Sequence, residues 1–393
     1  MKNILIISQY FTPDITAAAF RIKDLYDVIR NSKQLNVDII TTYPHKSETN
    51  DILKMEEGIY RIDINRSFRN KFFNYLYQYF SFSYKAYGLS HQIKNKYDVV
   101  FVTSPPIFTL IPAYLISRKH HAKFIIDIRD IWPDSAVDAG MLSRGSILYK
   151  VAKKIELFMY KNADIITCVS KMMCSYISQY AESNKIKPLY NGVSEKDIKS
   201  IGNAKQRQID SNDRKLRLFY AGNIGRAQKL DVLIKAFMMD ATLRDKYEIH
   251  IIGGGAFKEE LLSKAENNNI SIKYYGGSPK EETINILCQN ADVLFLSLTK
   301  KESFKKTIPS KLFDYLLINK PIVYGIEGEG KEMLDKLQCG EYFDVDYEKN
   351  LIKALDKMNK KYADYLMRSQ GNFEYVINNF NRSDSFKSFI KSV

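Results

Sequence analysis

The chain has few of the residues that build redox, zinc and haem sites. Its 393 residues include four cysteines, five histidines and one tryptophan. The cysteines are scattered without a CxxC pair, and the side chains of the adjacent His120 and His121 diverge, unlike those of a chelating pair one helical turn apart. This distribution argues against a zinc site and indicates reduced cysteines in the core of a cytosolic protein.

Long apolar runs and common catalytic signatures are also missing. No apolar run approaches the roughly 18 residues that a membrane-spanning helix needs. The first run is short and is soon followed by Gln9 and Asp14, which favours a buried strand over a signal peptide. Neither the GxSxG nucleophile elbow nor the GxxxxGK[ST] phosphate loop occurs. The sequence therefore gives no support to a serine hydrolase or a P-loop NTPase.

Positive charge, in contrast, is abundant. Lysine and arginine number 59 against 45 aspartates and glutamates, for a formal net charge of +14. Such a balance favours an anionic partner: nucleic acid, a membrane surface or a phosphorylated substrate. The hydrophobic content of 45% is typical of a globular protein. The length predicts two domains of about 190 residues each.

Short apolar runs recur along the chain, with helix-sized spacers between them. They are NILIIS, VDIITT, DVVFVT, KFIIDI and DIITCV, then LRLFYAG, EIHIIGG, IKYYGG, DVLFLSL and PIVYG. Continuous runs of this kind predict strands buried on both faces of parallel sheets. The sequence therefore predicts an α/β fold of two doubly wound, Rossmann-like domains, residues 1–195 and 214–375. Residues 196–213 are expected to be a polar linker, and 376–393 a C-terminal helix able to pack back on the first domain.

Three glycine-containing turns follow strands of the second half, in YAGNIGRAQK, IIGGGAF and YYGGSPKEE. Glycine after a strand lets backbone N–H groups approach a phosphate without a Cβ in the way. Ligands of doubly wound sheets bind at the carboxyl ends of the strands. One such turn is a weak signal, but three in successive loops predict a nucleotide site.

The segment TIPSKLFDYLLINKPIVYG, residues 307–325, gives the strongest local signal. Pro309 suits the first turn of a helix, and Thr307 suits its N-cap. Lys311 and Asp314 then share one face of that helix. The helix N-terminus and Lys311 can hold a diphosphate, while Asp314 can accept hydrogen bonds from ribose hydroxyls. The alternative is an exposed ion pair between these two side chains.

These motifs, in this order, resemble the carboxyl half of family 4 retaining glycosyltransferases of the GT-B fold. The first half agrees, with SQYFTPDITAAAFR, TSPP, DIRDIWPDS and PLYNGV at the corresponding places. The resemblance covers nearly the whole chain. It is closest to the subgroup that transfers N-acetylated deoxysugars or related sugars in bacterial O-antigen and capsule synthesis. It implies two facing Rossmann-like domains with an interdomain cleft, the first for the acceptor and the second for the nucleotide-sugar donor.

The resemblance also implies a donor site. Asp314 stands where the family has its ribose-binding glutamate, and Lys306 stands at the family's first glutamate, with Glu302 nearby. Asn223 and Gln228 stand where the family offers Arg and Lys to the diphosphate, so neighbouring cations would supply the charge. The implied catalytic cations are Arg226, Lys229 and Lys311. The implied donor-binding residues are Gly222, Asn223, Gly225, Gln228, Gly253, Gly254, Gly277, Pro309, Ser310 and Asp314.

The segment DIRDIWPDS, residues 127–135, carries the one tryptophan among several charges. Aromatic faces suit the C–H surfaces of sugars, and carboxylates suit their hydroxyls. Arg129 stands where many family members carry a histidine, so no imidazole base is implied. The implied acceptor-binding residues are Thr16, Arg129, Asp130, Trp132 and Asp134. The alternative is a helix start capped by Asp134 or Ser135.

The sequence DVD at 344–346 looks like the metal-binding DxD of the other glycosyltransferase fold, but here it matches a late loop of the GT-B pattern. The resemblance therefore implies a retaining enzyme with no metal or other cofactor. It would use a UDP-sugar and a polyprenyl-diphosphate-linked acceptor at the cytoplasmic face of the inner membrane. The alternatives are a GDP-sugar, a soluble acceptor, a GT-B epimerase or phosphorylase, or a basic nucleic-acid-binding protein. The parallel α/β pattern argues against nucleic acid as a partner.

The stretch RNKFFNYLYQYFSFSYKAY, residues 69–87, combines nine Phe or Tyr residues with three cations. Asp63 and Asp98 are the nearest acids on either side. As a helix, the stretch is apolar over most of its circumference. One side can bury in the domain, while the other aromatics would lie on a membrane surface without spanning it. The cations expected to join them are Arg66, Arg69, Lys71 and Lys85. The alternative is a thoroughly buried aromatic helix.

Overall fold

The structure is a computed structural model that describes residues 1–14, 16–44, 57–64, 71–203 and 215–393, without the side chains of residues 71–73, 75 and 203. The chain divides into two compact units. Met1–Asn191 and Ser383–Val393 form the first unit, and Gly192–Arg382 form the second.

The first unit is an α/β domain that is built around one parallel sheet. Its strands are β1 (Lys2–Ile7), β2 (Leu35–Thr42), β3 (Ile59–Ile62), β4 (Val99–Ser104), β5 (Lys123–Ile128), β6 (Ile165–Cys168) and β7 (Ile186–Pro188). Its helices are α1 (Ala17–Arg30), α2 (Lys71–Ser90), α3 (Leu110–His120), α4 (Asp134–Asp138), α5 (Ile147–Asn162) and α6 (Lys171–Ile177). The strand order is β3-β2-β1-β4-β5-β6-β7. Because β2 and β4 flank β1, the chain reverses direction across the sheet between β1 and β4, as in a doubly wound fold.

The second unit repeats this plan with six parallel strands. The helix α7 (Glu195–Asn203) precedes them. The strands are β8 (Leu216–Ala221), β9 (Tyr247–Ile252), β10 (Ile272–Tyr274), β11 (Val293–Ser297), β12 (Ile322–Gly325) and β13 (Gly340–Tyr342). The further helices are α8 (Asp231–Met239), α9 (Leu243–Lys246), α10 (Lys258–Glu266), α11 (Lys280–Asn290), α12 (Glu302–Lys305), α13 (Ser310–Leu317), α14 (Glu329–Leu337), α15 (Glu348–Lys360), α16 (Tyr362–Ser369) and α17 (Asn372–Phe380). The order β10-β9-β8-β11-β12-β13 places the reversal between β8 and β11.

Part of the expected linker at 196–213 is helical instead. Residues 204–214 lie outside the described residues, but α7 occupies the preceding part of the segment. Ser194 and Asp197 explain its start, because each side chain accepts a hydrogen bond from the other's backbone N–H at 3.1 Å. This reciprocal pattern is a capping box, which a polar composition alone does not distinguish from a linker.

The last helix, α18 (Arg382–Lys391), packs with the first unit. Phe386 is fully buried and Phe389 is nearly so, both in a cluster with residues of β1 and α1. The ring of Phe386 lies 5.3 Å from the guanidinium carbon of Arg21. The C-terminal residues therefore complete the hydrophobic core of the unit that the chain begins.

The aromatic helix α2 is buried on one side and exposed on another. Phe82 and Ala86 are fully buried in the first unit's core. Phe80 is 49% exposed and Tyr84 is 82% exposed. The thoroughly buried helix allowed by the sequence is therefore excluded for its described side chains. Of the expected cations, Arg66 and Arg69 and the side chain of Lys71 lie outside the description, and Lys85 is exposed.

Candidate functional site

The second unit brings its three predicted glycine turns together at the carboxyl ends of its strands. The backbone N–H of Gly222 donates to the carbonyl of Ile252 at 2.9 Å, and that of Ile224 donates to Gly254 at 2.8 Å. The N–H of Gly253 donates to the carbonyl of Gly276 at 2.6 Å. The turns after β8, β9 and β10 are thus joined edge to edge. They lie beside the reversal between β8 and β11, where doubly wound sheets bind ligands.

Gly222 and Gly253 both have positive φ angles, and Gly253 also has a close backbone neighbour. Gly253 has φ +130°, and a Cβ there would lie 1.9 Å from the carbonyl oxygen of Gly222. Gly222 has φ +135°, and its Cβ would lie 2.7 Å from Nζ of Lys311. No heavy atom of the described residues lies within 4 Å of a Cβ at Gly254 or Gly277. Backbone packing and φ therefore require glycine at Gly253, and φ favours it at Gly222, whereas Gly254 and Gly277 leave open space over the turns.

Lys311 is a half-buried cation in the first turn of α13. Its Nζ donates to Oη of Tyr220 at 2.5 Å and lies 4.0 Å from the centre of that ring. It has no ion pair with the described residues, and burial lowers its pKa to about 7. An amine in this setting lacks a counter-anion, which a bound phosphate would provide.

Asp314 lies one turn further along α13 and has a partner that the sequence did not indicate. Its Oδ1 is 2.9 Å from Nζ of Lys280, at the start of α11, and Lys280 also binds Asp197 of α7 at 2.7 Å. Burial raises the pKa of Asp314; Lys280 opposes this, and Asp197 adds to it. The exposed Lys311–Asp314 ion pair offered by the sequence is therefore wrong. A lysine directly after YYGGSP was the available signal for Lys280.

The cations of the loop after β8 are more exposed and have single acidic partners. Arg226 is 3.0 Å from Glu260, with 81% of its side chain exposed, and its guanidinium lies 5.3 Å from the ring of Phe257. Lys229 is 3.1 Å from Asp346. Both pairs are open to water, so they hold these cations weakly.

Asn223, Gly225 and Gln228 stabilise the loop itself. Oε1 of Gln228 accepts from the side chain of Asn223 at 3.2 Å and from the backbone N–H of Gly225 at 3.0 Å. These two predicted donor-binding side chains therefore hold each other, and the loop presents backbone groups as well as Arg226 and Lys229.

The helix start at α13 differs in detail from the prediction. Pro309 occupies the N-cap position without a side-chain cap, and Ser310 begins the helix. Thr307 does not cap it, because its hydroxyl donates to the carbonyl of Phe304 at 3.1 Å. The first N–H groups of α13 consequently have no side-chain cap, as at many anion-binding helix starts.

The DVD stretch is engaged by lysines. Asp344 lies 2.5 Å from Lys300, and Asp346 pairs with Lys229. Among the described ranges, no group of three or more His, Cys, Asp or Glu residues is placed to hold a metal ion.

In the first unit, the carboxyl end of β5 is organised by a buried ion pair. Arg21 of α1 contacts Asp127 at 2.8 Å, and both side chains are buried. Burial alone would raise the pKa of Asp127, but Arg21 and the hydroxyl of Thr167 hold it below the ordinary value. Arg21 also donates to the carbonyls of Leu189 and Tyr190. Sequence reasoning missed Arg21, which lies in the quoted SQYFTPDITAAAFR segment.

Arg129 and Asp130 follow this pair. Arg129 donates to the hydroxyl of Thr103 at 2.7 Å and to the carbonyl of Pro105 at 2.8 Å. Burial raises the pKa of Asp130 to about 6, although Ser135 and Arg129 oppose this. Oδ1 of Asp130 is buried without a hydrogen-bond partner among the described residues.

The other predicted acceptor-binding residues have structural contacts. Thr16 caps α1 by accepting from Ala19 at 3.1 Å. Asp134 accepts from Tyr149 and Lys153, each at 2.8 Å. Trp132 packs edge-on against Phe108, with ring centres 5.7 Å apart.

Comparisons with known proteins find a glycosyltransferase model in each half of the chain. Residues 21–197 match the model for Glycosyltransferase Family 4, and residues 203–371 match that for Glycosyl transferases group 1. WbjE of Pseudomonas aeruginosa, described as a probable glycosyltransferase, is 24% identical over 67% of this chain and 66% of its own. WcaI of Escherichia coli (strain K12), described provisionally as a colanic acid biosynthesis glycosyl transferase, is 23% identical over 59% of this chain and 58% of its own. The chain thus spans less than two thirds of either relative.

Solved structures share the whole fold. Sucrose-phosphate synthase of Thermosynechococcus elongatus superposes with a TM-score of 0.74 at 13% identity, covering 100% of this chain and 98% of that one. Alr3699/HepE of Anabaena, solved in complex with UDP-glucose, gives a TM-score of 0.69 at 12% identity, covering 100% of both chains. Within the described residues, no helix is long and apolar enough to cross a membrane.

Proposed function

The chain belongs to glycosyltransferase family 4, with the two Rossmann-like domains of the GT-B fold, and from this premise we propose that it transfers a sugar from a nucleotide-sugar to a growing bacterial surface polysaccharide. The second unit binds the donor. The first unit binds the acceptor.

One observation carries the donor assignment. Lys311 lies half-buried beside the turn at Gly222 and forms no ion pair with the described part of the chain. A buried cation without a counter-anion is costly unless a ligand supplies the charge. The neighbouring glycine turns and the start of α13 offer backbone N–H groups to the same anion. A nucleoside diphosphate carries the charge and shape that this arrangement needs.

The same groups address the chemical difficulty of sugar transfer. As the bond between the sugar and the diphosphate breaks, its electron pair goes to the phosphate oxygen, and negative charge grows there. Lys311 and the helix-start amides stabilise that charge. Arg226 gives up its ion pair with Glu260 and binds phosphate instead. Lys229 does the same with its ion pair to Asp346. A metal is not required in this scheme.

Asp314 is assigned to the ribose. Lys280 contacts its Oδ1 at 2.9 Å. The side chain is 21% exposed, so a ribose hydroxyl can donate to it. Lys280 opposes the effect of burial and so favours the ionised form that accepts such a bond.

The acceptor hydroxyl is assigned to the loop after β5. In this assignment the carboxylate of Asp130 orients the hydroxyl, Arg129 supplies positive charge, and Trp132 offers a ring edge to a sugar. In the retaining reaction, the hydroxyl attacks from the face that the diphosphate leaves. Its proton passes to the departing phosphate oxygen as the new glycosidic bond forms. Thr16 and Asp134, which hold α1 and α5, are given structural roles in this proposal.

The donor is proposed to be a UDP-sugar, and the acceptor a saccharide on a polyprenyl diphosphate at the cytoplasmic face of the inner membrane. The complex of Alr3699/HepE with UDP-glucose supports the nucleotide. The description of WcaI supports a surface polysaccharide. A GDP-sugar or a soluble acceptor is the alternative.

The proposal can be tested with a panel of UDP- and GDP-sugars. Nucleotide release is assayed for each sugar, once with the lipid-linked acceptor and once with the soluble saccharide. We expect turnover with a UDP-sugar that continues in excess EDTA, and product with retained anomeric configuration. Lys311→Met serves as the matched inactive variant. Release that requires manganese would overturn the metal-free scheme, and release with no donor in the panel would overturn the function itself.

A further inference from the structure

The helix α5 carries a mixed apolar and basic stripe on its exposed side. We name this stripe the α5 face; it consists of Ile147, Lys150, Val151, Lys154, Phe158 and Lys161, all exposed. Their spacing of three or four residues puts them on one side of the helix. Ile147 is 81% exposed, Phe158 48% and Val151 46%, which is unusual for a run of large apolar side chains on one helix.

The opposite side of α5 faces the domain core. Ala152, Met159 and Tyr160 are buried in the first unit. The inner side of the helix is therefore the apolar side that an amphipathic helix packs against a core. The α5 face is a second apolar region that the core does not require.

Neighbouring elements extend the α5 face. The ring of Tyr114 on α3 lies 5.4 Å from that of Phe158, and Arg118 of α3 donates to the carbonyl of Asn162. Leu115 is 43% exposed on α3, and Lys119 is also exposed. Helix α2, whose Phe80 and Tyr84 are exposed, packs against α3 in turn. The three helices form one layer with apolar and basic groups on its outside.

Charge of one sign dominates this layer. The acidic residue of α5, Glu156, is buried, where it pairs with Lys153 at 2.5 Å. Neither α2 nor α3 contains an acidic residue. Lys150, Lys154 and Lys161 form no ion pair with the rest of the described chain. The described residues therefore do not neutralise their charge.

We propose that the α5 face docks the chain on an anionic lipid surface, with Ile147, Val151 and Phe158 at the level of the acyl boundary and the three lysines among the headgroups. The inference rests on the proposed function, because it names the surface by which a lipid-linked acceptor is reached. A helix that lies in the interface needs this combination of apolar and cationic groups on one side.

Other occupants fit the α5 face less well. A second copy of the chain would bring two lysine rows together, which like-charge repulsion opposes. A nucleic acid would pair with the lysines but would leave Ile147 and Val151 in contact with water or phosphate. A lipid interface is the partner that satisfies both kinds of side chain.

Co-sedimentation of the full chain with vesicles tests the proposal. The vesicles contain phosphatidylglycerol and phosphatidylcholine in equal parts, with pure phosphatidylcholine as the uncharged comparison. We expect binding to the anionic vesicles that high salt weakens. Lys150→Glu/Lys154→Glu should lower the partition coefficient by at least about tenfold, given the attraction of each basic residue near an anionic leaflet. Ile147→Gln/Val151→Gln should lower it by about fivefold or more, because exposed apolar area no longer inserts.

The chain offers a matched control on another amphipathic helix. Lys349 and Lys353 are exposed on α15 of the second unit. Lys349→Glu/Lys353→Glu changes the net charge by the same amount and should leave vesicle binding near that of the parent. Equal losses from the two lysine pairs would show general electrostatic attraction and overturn the proposal. Unchanged binding of the Ile147/Val151 variant, or binding by the parent to neither vesicle, would also overturn it.

Two further measurements separate this inference from the proposed function. Each variant should keep the parental unfolding midpoint and UDP affinity, because the donor site lies in the other unit. Vesicle binding without nucleotide-sugar turnover would leave the α5 face standing and overturn the enzyme assignment. Turnover of a soluble acceptor without vesicle binding would overturn the role of the α5 face and leave the enzyme assignment standing. Loss of the parental oligomeric state, with vesicle binding intact, would assign the face to a second copy.

Discussion

At the scale of single residues, Lys311 has the most informative environment. Its amine contacts Tyr220 and lacks a carboxylate within ion-pair distance among the described residues, and burial lowers its pKa to about 7. Near neutral pH the free protein thus holds a mixture of charged and neutral amine. A bound diphosphate favours the charged form and raises that pKa, so donor binding takes up a proton as pH increases.

We therefore expect the affinity for a UDP-sugar to fall by up to about tenfold per pH unit between about pH 7 and pH 9, where protonating Lys311 costs progressively more. Below pH 7 the amine is already charged, so affinity should level off. A UDP-sugar is the appropriate ligand, because its diphosphate does not titrate in this range. Calorimetric titration in two buffers of different ionisation enthalpy measures both the affinity and the proton uptake.

Two substitutions of Lys311 provide the controls. Lys311→Arg keeps a fixed charge, so it should remove the pH dependence while retaining some affinity. Lys311→Met should weaken binding at least about tenfold at pH 7, or about 1.4 kcal/mol. A parental affinity that is flat across the range, or a Met variant that binds like the parent, would contradict the role given to Lys311.

The sequence indicated Lys311 and Asp314 but not their surroundings. A proline, a lysine and an acid at helical spacing predict a helix start and a shared face. The contacts of Lys311 with Tyr220 and of Asp314 with Lys280 join residues 91 and 34 positions apart. No local pattern encodes such pairs, because they depend on how loops from different strands meet.

At the scale of elements, every central strand was predictable from the sequence, whereas three of the four edge strands were not. All ten apolar runs chosen from the sequence are strands in the structure. The strands that were missed are β3, β7 and β13, each at an edge of its sheet. These three strands are short and mostly half-buried, so they lack the continuous apolar run that marks a strand covered on both faces.

The turn after β9 gives a test with adjacent glycines. Gly253→Ala should destabilise the second unit by about 2–4 kcal/mol, since it combines an unfavourable φ with a backbone clash. Gly254→Ala should have little effect on stability, because a Cβ there meets open space. Calorimetric unfolding of both variants, with UDP affinity measured beside it, checks the prediction. Similar unfolding for the two variants would mean that the turns are not held edge to edge as described.

The Lys280 network ties together three helices of the second unit. Lys280→Met leaves Asp197 and Asp314 facing each other without the cation, and it should cost about 1–3 kcal/mol, reduced from the fully buried case because Lys280 is 28% exposed. It should also weaken UDP-sugar binding, since the pKa of Asp314 rises further and its carboxylate protonates.

A double variant separates repulsion from simple loss of packing. Asp197→Asn keeps an acceptor for the Ser194 N–H and removes one charge, so Lys280→Met/Asp197→Asn should recover part of the lost stability. Chemical denaturation of the two single variants and the double variant gives the coupling energy. Strictly additive effects would show that the carboxylates do not act on each other through Lys280.

At the scale of the whole molecule, the first unit contains both the first residues of the chain and its C-terminal helix α18. The sequence predicted a C-terminal helix able to pack back on the first domain, but it could not name the side chains that this helix contacts there. Phe386 is buried beside Arg21, which in turn holds Asp127 at the end of β5. The last residues of the chain therefore support the segment that carries the proposed acceptor residues.

Phe386→Ala should destabilise the first unit by about 3–5 kcal/mol, because it leaves a cavity next to the buried Arg21–Asp127 pair. The one tryptophan, Trp132, lies in the first unit, so its fluorescence during denaturation reports that unit. Binding of UDP reports the second unit and should remain parental in dilute buffer. Lys391→Ala, at an exposed position of the same helix, is the control and should leave both readouts unchanged. If Phe386→Ala left the tryptophan transition in place, or weakened UDP binding under native conditions, the assignment of α18 to the core of the first unit would be wrong.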